Sequence, residues 1–158
     1  MAEVEGLFFD TNILIPGLVP TRGSDTASRE LFVRLARGEL GRPQTAVHCL
    51  LEFLSVTTRW ASEYRLSPSQ ASILAREEIL RRFDLCSLPA TQVPALVEAL
   101  EADGIAGGQV YDLHIAQVAL ACGAKTMITN NPRHFTSLRR HGLRVLTAAE
   151  LLAELGGS

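Results

Sequence analysis

Short apolar segments alternate with helical stretches along this chain, and that alternation narrows its possible folds more than any other feature. Leu7-Phe8-Phe9 sits in a strand read over residues 4–9, and its unbroken apolar character fits a strand buried on both faces. Further strands are expected over residues 85–88, 125–129 and 143–146. Between them lies a helix over about residues 24–37, where Ala27, Leu31 and Leu35 set a helical stripe. Pro43-Gln44-Thr45 leads into a long helix over about 46–64. Ser67-Pro68-Ser69 reads as a cap followed by a first-turn proline, opening a helix to about residue 83. Helices are also expected over 91–102, over 110–122 with Gly123 as its stop, and over 148–155, with a glycine-rich loop at 104–108.

Strands separated by helices imply an α/β chain: a three-layer α/β/α sandwich with a central, mostly parallel sheet. At 158 residues, the whole of 1–158 is expected to form a single domain. In such sheets ligands bind beyond the carboxyl ends of the strands. Asp10 follows the first strand there, and Thr129-Asn130-Asn131 ends the penultimate one, so the two segments share a crevice if their strands are neighbours. A carboxylate at the end of a buried strand costs solvation energy, which folds tolerate where a site binds something. Thr11 and Asn12 after it are helix-capping residues, so the chain is expected to turn from strand to helix at that point.

Composition removes several classes of function. Apolar residues make up 47% of the chain, which argues against disorder. No apolar run approaches the roughly 18–20 residues of a membrane span. Met1-Ala2-Glu3-Val4-Glu5 is acidic where a signal peptide is basic, so a cytoplasmic protein without a membrane partner is expected. Cys49, Cys86 and Cys122 lack metal-site spacing and read as buried free thiols in a reducing compartment. A net charge of −2 excludes a globally basic nucleic-acid binder but allows a local patch. Lys125 is the one lysine among 15 basic residues, a bias that a GC-rich genome explains. Only Arg133, Arg139, Arg140 and Arg144 cluster.

Two further acids can converge on Asp10. Asp112 falls in the first turn of its helix, above a stripe of Ile115, Ala116 and Ala119 that would pack closely on a sheet. That puts its carboxylate at the crevice, although a first-turn acid is equally explained by the helix dipole. Glu52 sits on a narrow polar stripe with His48, Ser55 and Arg59, and taken alone it reads as part of a solvated face near Arg59. Three carboxylates from separate elements have one evident chemical use. Oxygen ligands hold hard divalent cations such as Mg²⁺ or Mn²⁺, and grouped anions need such a cation to stay ionised. A metal held in this way activates water against a phosphodiester.

Other signals are weaker. His48, His114, His134 and His141 have no metal-ligand spacing and read as surface or partly buried residues. Gly104-Ile105-Ala106-Gly107-Gly108 does not follow a strand and is no phosphate-binding loop, and no Gly-x-Ser-x-Gly elbow occurs. Trp60 and Tyr64, one helical turn apart, suggest a core or partner-facing patch.

Phe9-Asp10-Thr11-Asn12-Ile13-Leu14, the single Glu52 in the next helical region, and Tyr111-Asp112-Leu113-His114-Ile115-Ala116 together resemble the PIN-domain family. Met127-Ile128-Thr129-Asn130-Asn131-Pro132-Arg133-His134-Phe135 and Gly142-Leu143-Arg144-Val145-Leu146 extend the resemblance to nearly the whole chain. Length and spacing are most similar to VapC-type toxin ribonucleases of type II toxin–antitoxin pairs. The resemblance implies an α/β/α sandwich and Mg²⁺-dependent endoribonuclease activity on RNA, with Mn²⁺ a possible substitute. It also implies a homodimer and a cognate antitoxin whose C-terminal segment occupies the active-site groove. Asp10, Glu52, Asp112 and Asn131 are its catalytic positions, with Asp10 and Asp112 the metal ligands. Asn12, Thr129 and Arg133 are expected to orient substrate. The chain departs from the pattern twice, because Asn131 is neutral where many members carry a fourth acid and His134 stands where an Asp is common. Three acids and an amide are expected to hold metal less firmly than four acids. His134, with Arg133 and Arg139, is then expected to contact the RNA backbone.

Asp10 after a strand and Thr129 after another also resemble haloacid-dehalogenase-type phosphatases. That chemistry requires a second acid where Asn12 stands, and a lysine after the Thr motif that the chain lacks. The remaining alternative is a PIN-like module with a degenerate acidic site that binds RNA or protein without cutting.

Overall fold

The computed structural model describes residues 4–23 and 25–156. Met1 to Glu3, part of the acidic N-terminal stretch, and Ser24, the expected start of the second helix, lie outside the described residues.

Five short strands form one sheet in the order β3-β2-β1-β4-β5: β1 (Leu7–Phe9), β2 (Gln44–Ala46), β3 (Asp84–Cys86), β4 (Thr126–Ile128) and β5 (Arg144–Leu146). Each neighbouring pair is parallel. Both β1 and β4 are buried at every residue, which requires helices over both faces of the sheet. The helices are α1 (Thr11–Leu18), α2 (Thr26–Ala36), α3 (Val47–Arg59), α4 (Pro68–Leu74), α5 (Val93–Ala102), α6 (Gln109–Ala121) and α7 (Ala148–Glu154). A π-helical turn, Ala75–Leu80, extends α4, and a 3₁₀ segment, Pro132–His141, joins β4 to β5. The α/β/α sandwich expected from the alternation is therefore the fold.

Several boundaries differ for identifiable reasons. Strand β1 begins at Leu7 rather than at residue 4, because Gly6 turns the backbone to φ +74° just before it. Strand β2 is absent from the sequence reading, which took Pro43-Gln44-Thr45 as the lead-in to a helix. Gln44 carries no apolar signal, yet its backbone pairs Phe8 on one side and Asp84 on the other. Helix α3 stops at Arg59, with Trp60 in an extended conformation, rather than continuing to residue 64. Trp60 and Tyr64 are thus not on one helical face: Trp60 packs on the core, while the Tyr64 hydroxyl accepts the Arg22 N–H at 3.1 Å. Strand β3 begins one residue and ends two residues earlier than expected.

The expected cap at Ser67 and stop at Gly123 are both present. Ser67 caps α4 with a reciprocal Gln70 contact and Pro68 in the first turn, and Thr147 caps α7 in the same way with Glu150. Gly123, at φ +70°, follows α6 in a conformation few other residues adopt. Phe9 meets Phe32 and Phe83 edge-on in an aromatic cluster, with Phe9–Phe83 centroids 5.2 Å apart. Gly17 lets α1 approach this cluster, since a Cβ there would lie 2.3 Å from the Phe32 ring. No helix among the described residues is long and apolar enough to cross a membrane. Cys49 and Cys86 are buried free thiols and Cys122 is half-buried.

The strand order places a topological switch between β1 and β4. From β1 the chain builds outward through β2 and β3, then returns to the other side of β1 to add β4 and β5. A crevice opens at the carboxyl ends of the two strands flanking such a switch. The β1–β4 register pairs Phe9 with Ile128, so the residues that follow, Asp10 and Thr129, emerge side by side.

Candidate active site

Asp10 belongs to both elements it joins. Its N–H continues the ladder by donating to the Ile128 carbonyl at 3.0 Å, and its own carbonyl accepts the first helical bond of α1 from Ile13. It is the N-cap of α1, and its Oδ1 accepts the Thr11 N–H at 2.7 Å. The capping role thus falls on Asp10 itself rather than on Thr11 and Asn12. Its Oδ2 accepts the Thr129 hydroxyl at 2.9 Å. The carboxylate is only 7% exposed. Burial raises its pKa to about 6, the negative charges of Asp112 and Glu52 push the same way, and the two hydrogen bonds only partly counter this. Glu52 and Asp112, from two other elements, are therefore each close enough to repel Asp10.

Thr129 is the hub of the site. Fully buried, it donates its one hydroxyl proton to Asp10 and accepts from Asn12 Nδ2 at 3.2 Å and from the Asn131 N–H at 3.1 Å, which uses its whole bonding capacity. Asn12 also accepts the Asn130 N–H on Oδ1 at 3.0 Å. Two of the residues expected to orient substrate, Asn12 and Thr129, are thus brought to Asp10. Asn131 arrives through its backbone; its side chain is exposed.

Glu52 is not paired with Arg59 in the way the polar stripe suggested. Its Oε2 accepts the Thr11 hydroxyl at 2.9 Å and lies 3.5 Å from His48 Nε2, so Thr11 ties it to the Asp10 turn. Replacing Glu52 by Gln is expected to lower any nuclease rate by about 10–100-fold, the range for groups that orient metal ligands. Glu39→Gln, remote from this crevice, should leave the rate unchanged. Equal rates for the two variants would assign Glu52 to the surface.

Asp112 sits in the first turn of α6, whose Ile115, Ala116 and Ala119 pack into the core as the stripe implied. Its Oδ2 lies 3.0 Å from His134 Nδ1. His134 therefore faces the acid. Arg133, Arg140, His134 and Asp112 line one cavity of about 410 Å³ between α5, α6 and the 3₁₀ segment. Arg139 is turned the other way, donating to the Val145 carbonyl at 3.4 Å.

Three functional features escaped the sequence reading. Asn130 Nδ2 binds the Asn12 carbonyl at 3.1 Å, Asp25 Oδ2 at 3.1 Å and Ser28 Oγ at 3.3 Å, fastening the site loop to α1 and to the start of α2. The signal that could have revealed it is Pro16, inside α1. Proline has no N–H to return to residue 12, so the Asn12 carbonyl is left for Asn130. The Thr11 hydroxyl is the second, and the grouping of His48, Tyr111 and His114 beside the acids is the third.

The donor set is all oxygen, the carboxylates of Asp10, Glu52 and Asp112, and is suited to a hard cation. A buried carboxylate held by neutral donors, and repelled by two other acids, is a group that a cation would stabilise in its charged form. Among the described residues no three His, Cys, Asp or Glu side chains stand together as a ready metal cage. Mg²⁺ commonly takes only one or two protein carboxylates, completing its shell with water and phosphate. Asp10 and Asp112, with Glu52 nearby, fit that mode.

The family model of the PIN domain matches residues 7–141. This chain belongs to the PIN domain family. The PIN fold is also seen in solved structures of low sequence identity. The chain is similar to FitAcB from Neisseria gonorrhoeae, with 14% identity and a TM-score of 0.61 over 90% of this chain and 98% of that one. It resembles VapBC2 from Rickettsia felis, bound to a DNA fragment from their promoter, with 19% identity and a TM-score of 0.56 over 89% and 97% of the two chains. VapBC-1 from nontypeable Haemophilus influenzae gives 20% identity and a TM-score of 0.58 over 90% and 98%. No curated protein matches the chain by sequence.

Proposed function

We propose that this PIN domain is a Mg²⁺-dependent endoribonuclease, the toxin of a toxin–antitoxin pair, acting in the cytoplasm as a homodimer. The observation that carries the reading is Asp10: a buried carboxylate at the β1–β4 switch, its pKa raised to about 6, with Asp112 and Glu52 acting on its charge. Asp10 and Asp112 would hold the cation, with Glu52 reaching it directly or through water. Bound Mg²⁺ would polarise the scissile phosphate and make an attacking water more acidic.

The chain's own residues do the rest. Thr129 and the Thr11 N–H orient the two oxygens of Asp10. Thr11 holds Glu52, and Asn130 anchors Asn12 beneath Thr129. Arg133 and Arg140, on the wall of the cavity beside Asp112, supply positive charge for RNA phosphates, which positions the strand without reading its sequence. Likeness to FitAcB and VapBC structures supports a cognate antitoxin as the partner.

The test is incubation of the antitoxin-free protein with RNA, in Mg²⁺ or Mn²⁺ and then in EDTA. Cleavage is expected only with metal, and Mg²⁺ at 100 times its dissociation constant should stabilise the fold by about 2.7 kcal/mol. Cleavage undiminished by EDTA would sink the metal-site mechanism. The second reading is a PIN module that binds without cutting. It is favoured by His134 against Asp112 and by the lack of a ready three-ligand cage among the described residues. RNA binding with no cleavage and no stabilisation by either metal would select it.

A further inference from the structure

Tyr111 immediately precedes Asp112, yet its side chain is 57% exposed, so it contributes little to the core. Its ring is stacked on the imidazole of His48, with centroids 5.1 Å apart and planes within 15° of parallel. His114 meets His48 edge-on at 5.7 Å. Three rings from the first turn of α3 and the first two turns of α6 thus make a braced ledge with Tyr111 exposed on it. One end of it meets the acidic site in space and the other adjoins it in sequence. His48 lies 3.5 Å from Glu52, and Tyr111 is the chain neighbour of Asp112. On another side of Asp112 lies the cavity with Arg133 and Arg140.

An exposed π-face beside a phosphodiester-processing site has a direct use, because every nucleobase has a face to stack on it, whatever the sequence. A protein segment fits less well. Burying the ledge under apolar side chains would also desolvate His48, His114, Glu52 and Asp112, at a cost that grows with each ionisable group. A base covers the ring face and leaves those edges to water. The base must also be free to leave its own helix, since bases in an A-form duplex remain stacked and paired.

We propose that Tyr111, backed by His48 and His114, is the stacking platform for an unpaired base flanking the scissile phosphate. This deepens the nuclease reading and rests on it. The platform binds and positions; it takes no part in the chemistry.

The experiment uses a single-stranded RNA oligonucleotide carrying 2-aminopurine, titrated with the full chain in EDTA so that no cleavage intervenes. Stacking on the platform quenches the probe. Tyr111→Phe, which keeps the ring, should bind and quench like the unmodified protein. Tyr111→Ala should lose the quench and bind about tenfold more weakly. With Mg²⁺ and unlabelled RNA, Tyr111→Ala should raise KM by a similar factor and leave kcat within about twofold, as expected for lost ground-state binding. The same probe within a duplex should show no quench. An unmodified protein that fails to quench the single strand, or a Tyr111→Ala protein that quenches as well as it does, would overturn the platform and leave the ledge to a protein partner. Failure of the nuclease reading looks different: no cleavage with any metal, while the quench still follows the ring at position 111.

Discussion

Asp10→Asn is expected to abolish RNA cleavage and, in metal-free buffer at pH 8, to raise the melting temperature. The loss follows from the proposed ligand role: an amide carries no charge to hold the cation, and several kcal/mol of transition-state stabilisation correspond to about a thousandfold or more in rate. The gain follows from burial. Asp10 has a folded-state pKa raised from 3.8 to about 6, chiefly by desolvation and further by Asp112 and Glu52. The folded state therefore binds the Asp10 proton more tightly than the unfolded state does. Its contribution to stability is fully present below the unfolded value and is lost as pH rises through about 6. The penalty at pH 8 is on the order of 3 kcal/mol. Asn is as good an N-cap as Asp, and its side-chain oxygen can still accept from Thr11 or Thr129. Thermal unfolding at pH 8 and pH 4 tests this, since the advantage of Asn should vanish near pH 4. Added Mg²⁺ should narrow the gap at pH 8 by stabilising only the unmodified protein. A variant that still cuts RNA, or one that melts lower at pH 8, would refute the assignment of Asp10.

Thr129→Val is expected to have the second largest effect, with a signature of its own. Valine fills the same space but removes a fully buried hydroxyl that donates to Asp10 and accepts from Asn12 and Asn131. Leaving those groups unpaired should cost about 1–3 kcal/mol of stability. It also removes a hydrogen bond that lowers the Asp10 pKa, so that pKa moves above its already raised value. The acid limb of the activity profile should shift to higher pH, with the rate down about 10–100-fold, the range for partners that orient a ligand. Thr129→Ser should restore both, because it returns the hydroxyl. A merely structural threonine would lower stability and leave the pH limb where it was.

How legible the site was depended on the kind of residue. Asp10 and Thr129 stand directly after a strand, so local pattern alone assigned them to the end of the sheet, whereas Asp112, in the first turn of a helix, was equally explained by the helix dipole. Glu52 was legible only through the family resemblance, because its helix stripe looked solvated. What gives it a place in the site is the Thr11 hydroxyl, 41 residues away along the chain. Asn130 was missed because an asparagine after a strand reads as a turn residue. Its three partners come from α1 and from the start of α2, a proximity no local pattern encodes. The Tyr111–His48 stack was invisible for the same reason, and Tyr111 would ordinarily be read as a core aromatic.

The fold shows the same division. The capping residue at Ser67, the stop at Gly123 and the apolar run at Leu7–Phe9 act over a few residues, so the alternation of strand and helix was readable in advance. Strand β2 was not, since Gln44 and Thr45 become a strand only through backbone pairing with β1 and β3. The sequence by itself determined an α/β chain with a carboxylate at the end of its first strand, because those features arise from local sterics and hydrophobic periodicity. Only the tertiary structure decided that β1 and β4 are neighbours, and hence that Asp10 meets Thr129 while Asp112 and Glu52 act on its charge. Strand order and long-range hydrogen bonds depend on which segments pack together, and that is settled by the burial of the whole core rather than by any stretch of the chain.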